Sequence, residues 1–314
     1  MVKNNILRKA FLTIIACLIM TLLLSTPLTA RELVDTDRAC SLDLTYKYEE
    51  TFFADADVKI YKVAGFSVEG VFELEGVFEN YSIDVVHVKS QDEWQALAET
   101  FSAYVVADAI APTATAATDA QGTASFADLE VGLYLVSGVT AAYTDGATVT
   151  FGDFMISVPG LDDDDKWIYD VDAFPKPVWH EPDYGEVEFR IIKLWKDSGN
   201  EDKRPIDIKV DIYKNSSLYD SVVLSENNNW TFSWTAIEDG SSWKVVERDI
   251  PEKYTVTFEN RETSFIITNT YGPESPPTGD STSIMPYIIA LCASGVLLIV
   301  FGIVRRKKEQ SEAA

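Results

Sequence analysis

Apolar and polar residues alternate along most of the chain. Leu42, Leu44, Tyr46 and Tyr48 alternate with Asp43, Thr45 and Lys47, the period of two that a strand with one buried face imposes. Further strands are predicted over 58–64, 71–74, 133–136 and 149–158. One stretch changes period. Ser90-Gln91-Asp92-Glu93 has the form of a capping box, and Trp94, Leu97, Phe101 and Tyr104 then recur at helical spacing, so a single helix with an apolar core-facing stripe is predicted there.

The alternation resumes after 186 and is cleaner. Val187, Phe189, Ile191 and Lys193 share one face of a strand, and Ile206, Ile208, Val210 and Ile212 share one face of the next. Asn227-Asn228-Asn229 turns into Trp230-Thr231-Phe232-Ser233-Trp234, again aromatic at alternate positions. Pro175, Pro177, Pro182 and Gly185 fall between the two halves and predict an extended, stiff linker over 177–185. Two β-sandwiches in tandem follow, 31–176 with the helix inserted at its edge and 186–272 without one.

Two segments are apolar without alternation. Residues 11–24 follow Lys3, Arg8 and Lys9 and precede Pro27-Leu28-Thr29-Ala30, the order of a secretory signal helix cut between Ala30 and Arg31. Cys17 lies within it, but a lipid-attachment cut there would leave an apolar segment stranded on the mature chain. Near the other end, 284–304 is apolar throughout; about 21 residues at 1.5 Å each make a helix of roughly 30 Å, enough to cross a bilayer. Arg305-Arg306-Lys307-Lys308 follows, so 305–314 is predicted to stay cytoplasmic and everything upstream to lie outside. Before the span, in 273–283, stands Ser275-Pro276-Pro277-Thr278-Gly279. Proline, any residue, threonine and glycine, then a span and a basic tail, resembles the sortase signal of Gram-positive surface proteins. The resemblance implies cleavage between Thr278 and Gly279, with the new threonine carboxyl passed to peptidoglycan or to a neighbouring pilin subunit. The usual leading leucine is Ser275, which leaves the sortase class open.

Charge and cysteine count narrow the function. The net charge is −24, and removal of the two basic ends leaves the exported part more acidic still, which excludes nucleic acid as a partner. Of three cysteines only Cys40 belongs to the exported part, so no intramolecular disulfide is available. With two histidines, His87 and His180, there is no two-histidine zinc motif; no Gly-x-Ser-x-Gly or phosphate-cradling loop is present either. Cys40 with His87 is the one conceivable nucleophile pair and has no supporting pattern. Neither an external substrate nor a cofactor or metal is expected. Asp162-Asp163-Asp164-Asp165 lacks the alternation and glycine of a calcium loop and reads as a solvated loop.

Within the first half, Asp119-Ala120-Gln121-Gly122 predicts a turn, followed by Phe126, Leu129, Gly132 and Tyr134. This arrangement resembles the Cna B-type and pilin-like sandwiches of Gram-positive surface proteins. Trp167-Ile168-Tyr169-Asp170-Val171-Asp172-Ala173-Phe174-Pro175-Lys176 resembles a pilin motif, which implies that Lys176 receives the threonine of the next subunit. Pro177 replaces the usual asparagine, and two readings stay open: a linking amine, or an exposed lysine on an interdomain strand.

Three polar residues of the second half break the alternation. Lys193 falls in phase with Phe189 and Ile191, Glu247 with Trp243 and Val245, and Asn269 with Phe265 and Ile267, so all three point inward. Burying each alone is costly, which asks for a common explanation. In an apolar pocket desolvation favours a neutral lysine and a protonated glutamate. Lys193 can then attack the Asn269 amide while Glu247 shuttles protons, forming an isopeptide bond. The runs Lys193-Leu194-Trp195-Lys196-Asp197, Asn200 to Pro205, Asn228-Asn229-Trp230 and Ile267-Thr268-Asn269-Thr270-Tyr271 closely resemble a Cna B-type domain. The resemblance implies Lys193 and Asn269 as the joined pair and Glu247 as catalyst. In the first half Tyr46 stands where the lysine belongs and Gly138 where the glutamate belongs, so no bond is expected there. The expectation is a cell-wall-anchored, pilin-like structural protein; the alternative is an adhesin that binds a host or partner ligand through its first domain.

Overall fold

The structure, a computed structural model, describes residues 33–143, 146–181 and 185–272. The predicted signal helix with its Ala30–Arg31 cut, the sorting motif from Ser275 to Gly279, the apolar span and the basic tail all lie outside these residues. None of the described helices is long and apolar enough to cross a membrane.

The first region contains β1 (Cys40–Thr45), β2 (Asp57–Phe66), β3 (Phe72–Leu74), the helix α1 (Gln91–Ala107), β4 (Ala114–Ala117), β5 (Thr123–Leu129), β6 (Gly132–Val136), β7 (Val139–Ala142), β8 (Thr148–Phe151), β9 (Phe154–Val158), β10 (Asp170–Ala173) and β11 (Pro177–His180). The second contains β12 (Glu186–Lys196), β13 (Asp207–Lys214), β14 (Ser217–Ser225), β15 (Thr231–Ile237), β16 (Trp243–Arg248), β17 (Tyr254–Arg261) and β18 (Ser264–Tyr271). The chain is therefore mostly β with one α-helix among the described residues.

In the second region the sheet β15–β12–β18–β17 packs on the sheet β14–β13–β16. β12 runs parallel to β18, placing Lys193 beside Ile267 and Trp195 beside Asn269. The first region contains a similar pairing: β1 runs parallel to β10, with Leu42 beside Val171, and antiparallel to β5. Leu42, Leu44 and Tyr46 are buried as their alternation predicts.

The predicted capping box is present in full. Ser90 Oγ accepts the Glu93 N–H, and the Glu93 carboxylate accepts the Ser90 N–H at 3.1 Å. The position of the helix differs from the edge insertion expected of it. Trp94 and Phe101 pack on Phe72 and Phe78 of the first region, with ring centroids at 6.2 and 5.4 Å. Tyr104 packs both on Tyr81 of the first region, at 4.3 Å, and on Phe258 of the second, at 5.4 Å. Both sides of α1 are thus covered, and its apolar residues join one core that runs into the second sandwich through Ile191, Val210 and Ile267. The outer edge of β17 is covered as well: the Val256 N–H donates to the Ser82 carbonyl at 2.9 Å and the Phe258 N–H to Thr100 Oγ1 at 2.8 Å.

Three local differences have simple causes. The stretch 149–158, expected as one strand, is divided at Gly152-Asp153, where Asp153 Oδ1 accepts the Gly138 N–H at 2.7 Å. Within the expected linker, 177–180 forms β11 on the outside of β8; Pro177 opens it at an edge, where a missing N–H breaks no ladder. Ile206, expected to be inward, is 90 % exposed because β13 begins only at Asp207, after Pro205.

Candidate functional site

The alternation in β12 buries Phe189, Ile191 and Lys193 in turn, and that in β16 buries Trp243, Val245 and Glu247. Asn269 lies on β18 next to β12, facing the same interior. The two sheets close on one another, and the three polar side chains meet. Glu247 touches both others: Oε2 lies 3.5 Å from Lys193 Nζ, and Oε1 accepts a hydrogen bond from Asn269 Nδ2 at 2.8 Å. The Lys193 and Glu247 side chains are fully buried, and Asn269 is 0 % exposed.

Burial sets the protonation of the cluster. Desolvation pushes the Lys193 ammonium down to about 8, against the opposing pull of Glu247. Desolvation also raises the Glu247 carboxyl, opposed by Lys193 and the Asn269 amide. Both directions favour a neutral amine beside a carboxylic acid, the pair that an uncharged cavity tolerates. Lys193 Nζ donates to the Leu194 carbonyl at 3.1 Å and lies 4.0 Å from the centre of the Trp195 ring. Glu247 Oε2 and Asn269 Oδ1 are buried with no hydrogen-bond partner, a cost that a further bond within the cluster would relieve.

Around this cluster stands a polar support that the alternation does not reveal. Arg204 grips Asp197 with two hydrogen bonds of 2.7 and 2.6 Å, and the Tyr254 hydroxyl donates to the same carboxylate at 2.9 Å. The paired Arg204 holds Asp197 below the usual carboxylate range. Both residues sit in the motif runs quoted above, which was the available signal. Tyr104 gave none: its hydroxyl donates to the Glu247 carbonyl at 3.4 Å from a helix more than a hundred residues upstream.

A second buried lysine makes an instructive contrast. Lys244 Nζ contacts Glu99 of α1 at 3.0 Å and Asp153 of the first region. Here two carboxylates outweigh desolvation, so Lys244 is raised and Asp153 lowered, and both stay charged. This is an ionic clasp between the regions rather than a nucleophile. Arg248 forms another, donating to Asp108 at 2.8 Å and to Asp211 at 2.9 Å.

In the first region, Tyr46, expected at the place of the lysine, is buried. Its ring is 1 % exposed and meets Phe151 edge-on at 5.0 Å. Gly138 leaves no room for an acid: a Cβ there would stand 2.8 Å from the Phe151 carbonyl oxygen.

Lys176 is exposed and lies apart from the cluster, between β10 and β11, after the exposed Phe174 and buried Pro175. Asp162 caps its own turn, its Oδ1 accepting the Asp164 and Lys166 N–H groups at 2.9 and 2.8 Å. Among the described residues no group of three or more His, Cys, Asp or Glu has the arrangement to hold a metal. Cys40 is buried, which pushes its thiol up to about 11, and His87 is engaged by Asp84 at 2.7 Å in an exposed loop.

The second region is an all-β sandwich closed by parallel first and last strands, with lysine, glutamate and asparagine together in its dry interior. Residues 189–270 match the family described as Cna protein B-type domain. A collagen adhesin of Staphylococcus aureus is 33 % identical over 100 residues, which cover 29 % of this chain and 8 % of that protein. The chain thus spans a small fraction of that relative. Among solved structures, a match is found to a single B repeat unit of the collagen-binding surface protein of Staphylococcus aureus, at 16 % identity and a TM-score of 0.26, covering 75 % of this chain and 99 % of that one. The major pilin SpaD of Corynebacterium diphtheriae gives 15 %, 0.28, 77 % and 66 %. The shaft pilin spaA of Lactobacillus rhamnosus GG gives 15 %, 0.28, 76 % and 100 %.

Proposed function

We propose that the protein is a secreted, sortase-processed, pilin-like structural protein of the cell wall, whose second sandwich is cross-linked by an isopeptide bond between Lys193 and Asn269. The observation that carries this reading is Glu247, in contact with the amine at 3.5 Å and the amide at 2.8 Å inside a closed apolar interior. Neutral Lys193 Nζ attacks the Asn269 side-chain carbonyl carbon. Glu247 gives its proton to the departing amide nitrogen and takes one from Nζ, so the acid is regenerated. The C–N bond to the asparagine amide breaks, an amide to Nζ forms, and one ammonia leaves; no oxidant or cofactor is needed. The reaction occurs once per chain and is not turnover. Its product resists reduction, which suits an exported chain with one free cysteine.

Cell-surface placement is supported by the Cna B-type domain and by the order of motif, span and basic tail. Thr278 would be joined either to peptidoglycan or to Lys176 of a neighbouring subunit. The test uses wall proteins released by a muramidase, separated under denaturing conditions and probed for this protein in wild-type and Lys176→Ala strains. A ladder of high-mass bands that vanishes in Lys176→Ala is expected of a pilus shaft. One wall-linked band in both strains would exclude a shaft and turn the reading to an adhesin, the word that names the Staphylococcus aureus relative.

A further inference from the structure

The second sandwich does not enclose its reactive cluster alone. β16, which carries Glu247, is an outer strand of its sheet, and β17, next to the Asn269 strand, is an outer strand of the other. The side between those two strands would be open if the second sandwich stood by itself. Helix α1 of the first region lies along it. Thr100 Oγ1 takes the Phe258 N–H at 2.8 Å, the Tyr104 ring packs on Phe258 at 5.4 Å, and the Tyr104 hydroxyl reaches the Glu247 carbonyl at 3.4 Å. Ala103 lines the same seam with Val245 and Phe258, a small residue where helix and strands come close. The clasps Lys244 to Glu99 and Arg248 to Asp108 tie the two ends of this contact.

We propose that α1 is a wall of the reaction chamber, with Tyr104 as a positioning residue that keeps water from Glu247, so that the cross-link forms at full rate only when the first region is docked. This rests on the cross-link reading above. A carboxyl keeps its proton near neutral pH only while it stays dry. The groups facing Glu247 are Lys193 from β12, Asn269 from β18 and Tyr104 from α1; Asp197 and Arg204 act on Lys193, and Asp108, Tyr81 and Arg248 act on Tyr104. Burial holds the Tyr104 phenol well above its ordinary range, so it stays a neutral donor while the acid titrates. With the wall opened, water would ionise Glu247, and the anion would hold Lys193 as an ammonium that cannot attack.

The test compares wild type, Tyr104→Ala and Tyr104→Phe in the two-region protein, refolded from denaturant before any cross-link has formed. Loss of ammonia is followed by intact mass across pH. Tyr104→Ala is expected to react at least about tenfold more slowly, with the high-pH limb of its rate profile displaced by about one unit toward acid. Tyr104→Phe, which keeps the ring, should stay within about twofold of wild type. If Tyr104→Ala does not fold, Thr100→Val keeps the volume but loses the Phe258 bond, and should displace the limb in the same direction. A second readout needs no cross-link: in a Lys193→Met background the Glu247 carboxyl is titrated by carbon NMR, and adding Tyr104→Ala or Thr100→Val should lower its midpoint. Unchanged rate profiles and midpoints would overturn the chamber. A shifted midpoint in a protein whose wild type never loses ammonia would keep the wall and discard the cross-link.

Discussion

Removing the acceptor of the proposed bond gives a stability change whose size follows from chain length. Lys193 and Asn269 enclose nearly the whole second sandwich, and a cross-link closing about 76 residues constrains the unfolded chain by about 4.5 kcal/mol on the loop-entropy scale. Asn269→Ala also gives up the 2.8 Å hydrogen bond to Glu247 and leaves a small void, together about 1–2 kcal/mol. The sum is about 6 kcal/mol. For a folded unit of this size each kcal/mol moves the midpoint by about 2–4 °C, so a fall of roughly 12–24 °C is expected by scanning calorimetry. Glu247→Gln removes the proton carrier but keeps the volume; it should also lose the constraint and melt at least about 10 °C below wild type. Agreement between two variants with different local chemistry would separate the lost constraint from the lost contact. A midpoint for Asn269→Ala within about 3 °C of wild type would refute the reasoning, because side-chain terms alone cannot offset a constraint of that size.

Other consequences are equally direct. In Asn269→Ala, Lys193 remains a free amine whose folded value of about 8 lies below its ordinary 10.5; the unfolded chain holds the extra proton between them, so stability should rise by up to about 3 kcal/mol as pH climbs through that window. Wild type, with Nζ in an amide, should lack this rise in urea titrations at matched pH. Glu247 acts oppositely: its raised folded value means that stability falls as pH rises past the unfolded value, and in uncross-linked Glu247→Gln that fall should be absent. Lys244→Ala would leave Glu99 and Asp153 facing each other without a cation; a loss of about 2–3 kcal/mol is expected, with earlier proteolysis between the regions, and an unchanged cleavage rate would contradict the clasp. Gly122 has φ +72° and a Cβ there would stand 2.5 Å from the Tyr46 carbonyl oxygen, so Gly122→Ala should cost about 1–3 kcal/mol in denaturant unfolding.

The buried cluster was legible in the sequence because a strand has a period of two. A polar residue in phase with buried neighbours can only point inward, and Lys193, Glu247 and Asn269 each satisfy that condition on strands that pack together. The helix was legible for a similar local reason, since Ser90 and Glu93 satisfy each other's backbone. What α1 packs against was not. Periodicity marks Trp94, Phe101 and Tyr104 as buried but says nothing of which sheet covers each one. Thr100, polar and therefore absent from any apolar stripe, is among the residues that join the regions. The clasps escaped notice because Lys244 and Arg248 alternate outward on β16, where a charged residue ordinarily means solvent. Prolines at 175 and 177 predict an extended chain, but extension is shared by linkers and edge strands, and pairing with β8 makes 177–180 the latter.

The most direct test of the central claim is the intact mass of the purified protein carrying both regions, followed by peptide mapping. The account predicts a mass about 17 Da below that of the sequence, one ammonia, with a branched peptide joining Lys193 to Asn269 and the full mass restored in Glu247→Gln. A wild-type mass equal to that of the sequence, with Lys193 and Asn269 recovered in separate linear peptides, would contradict it.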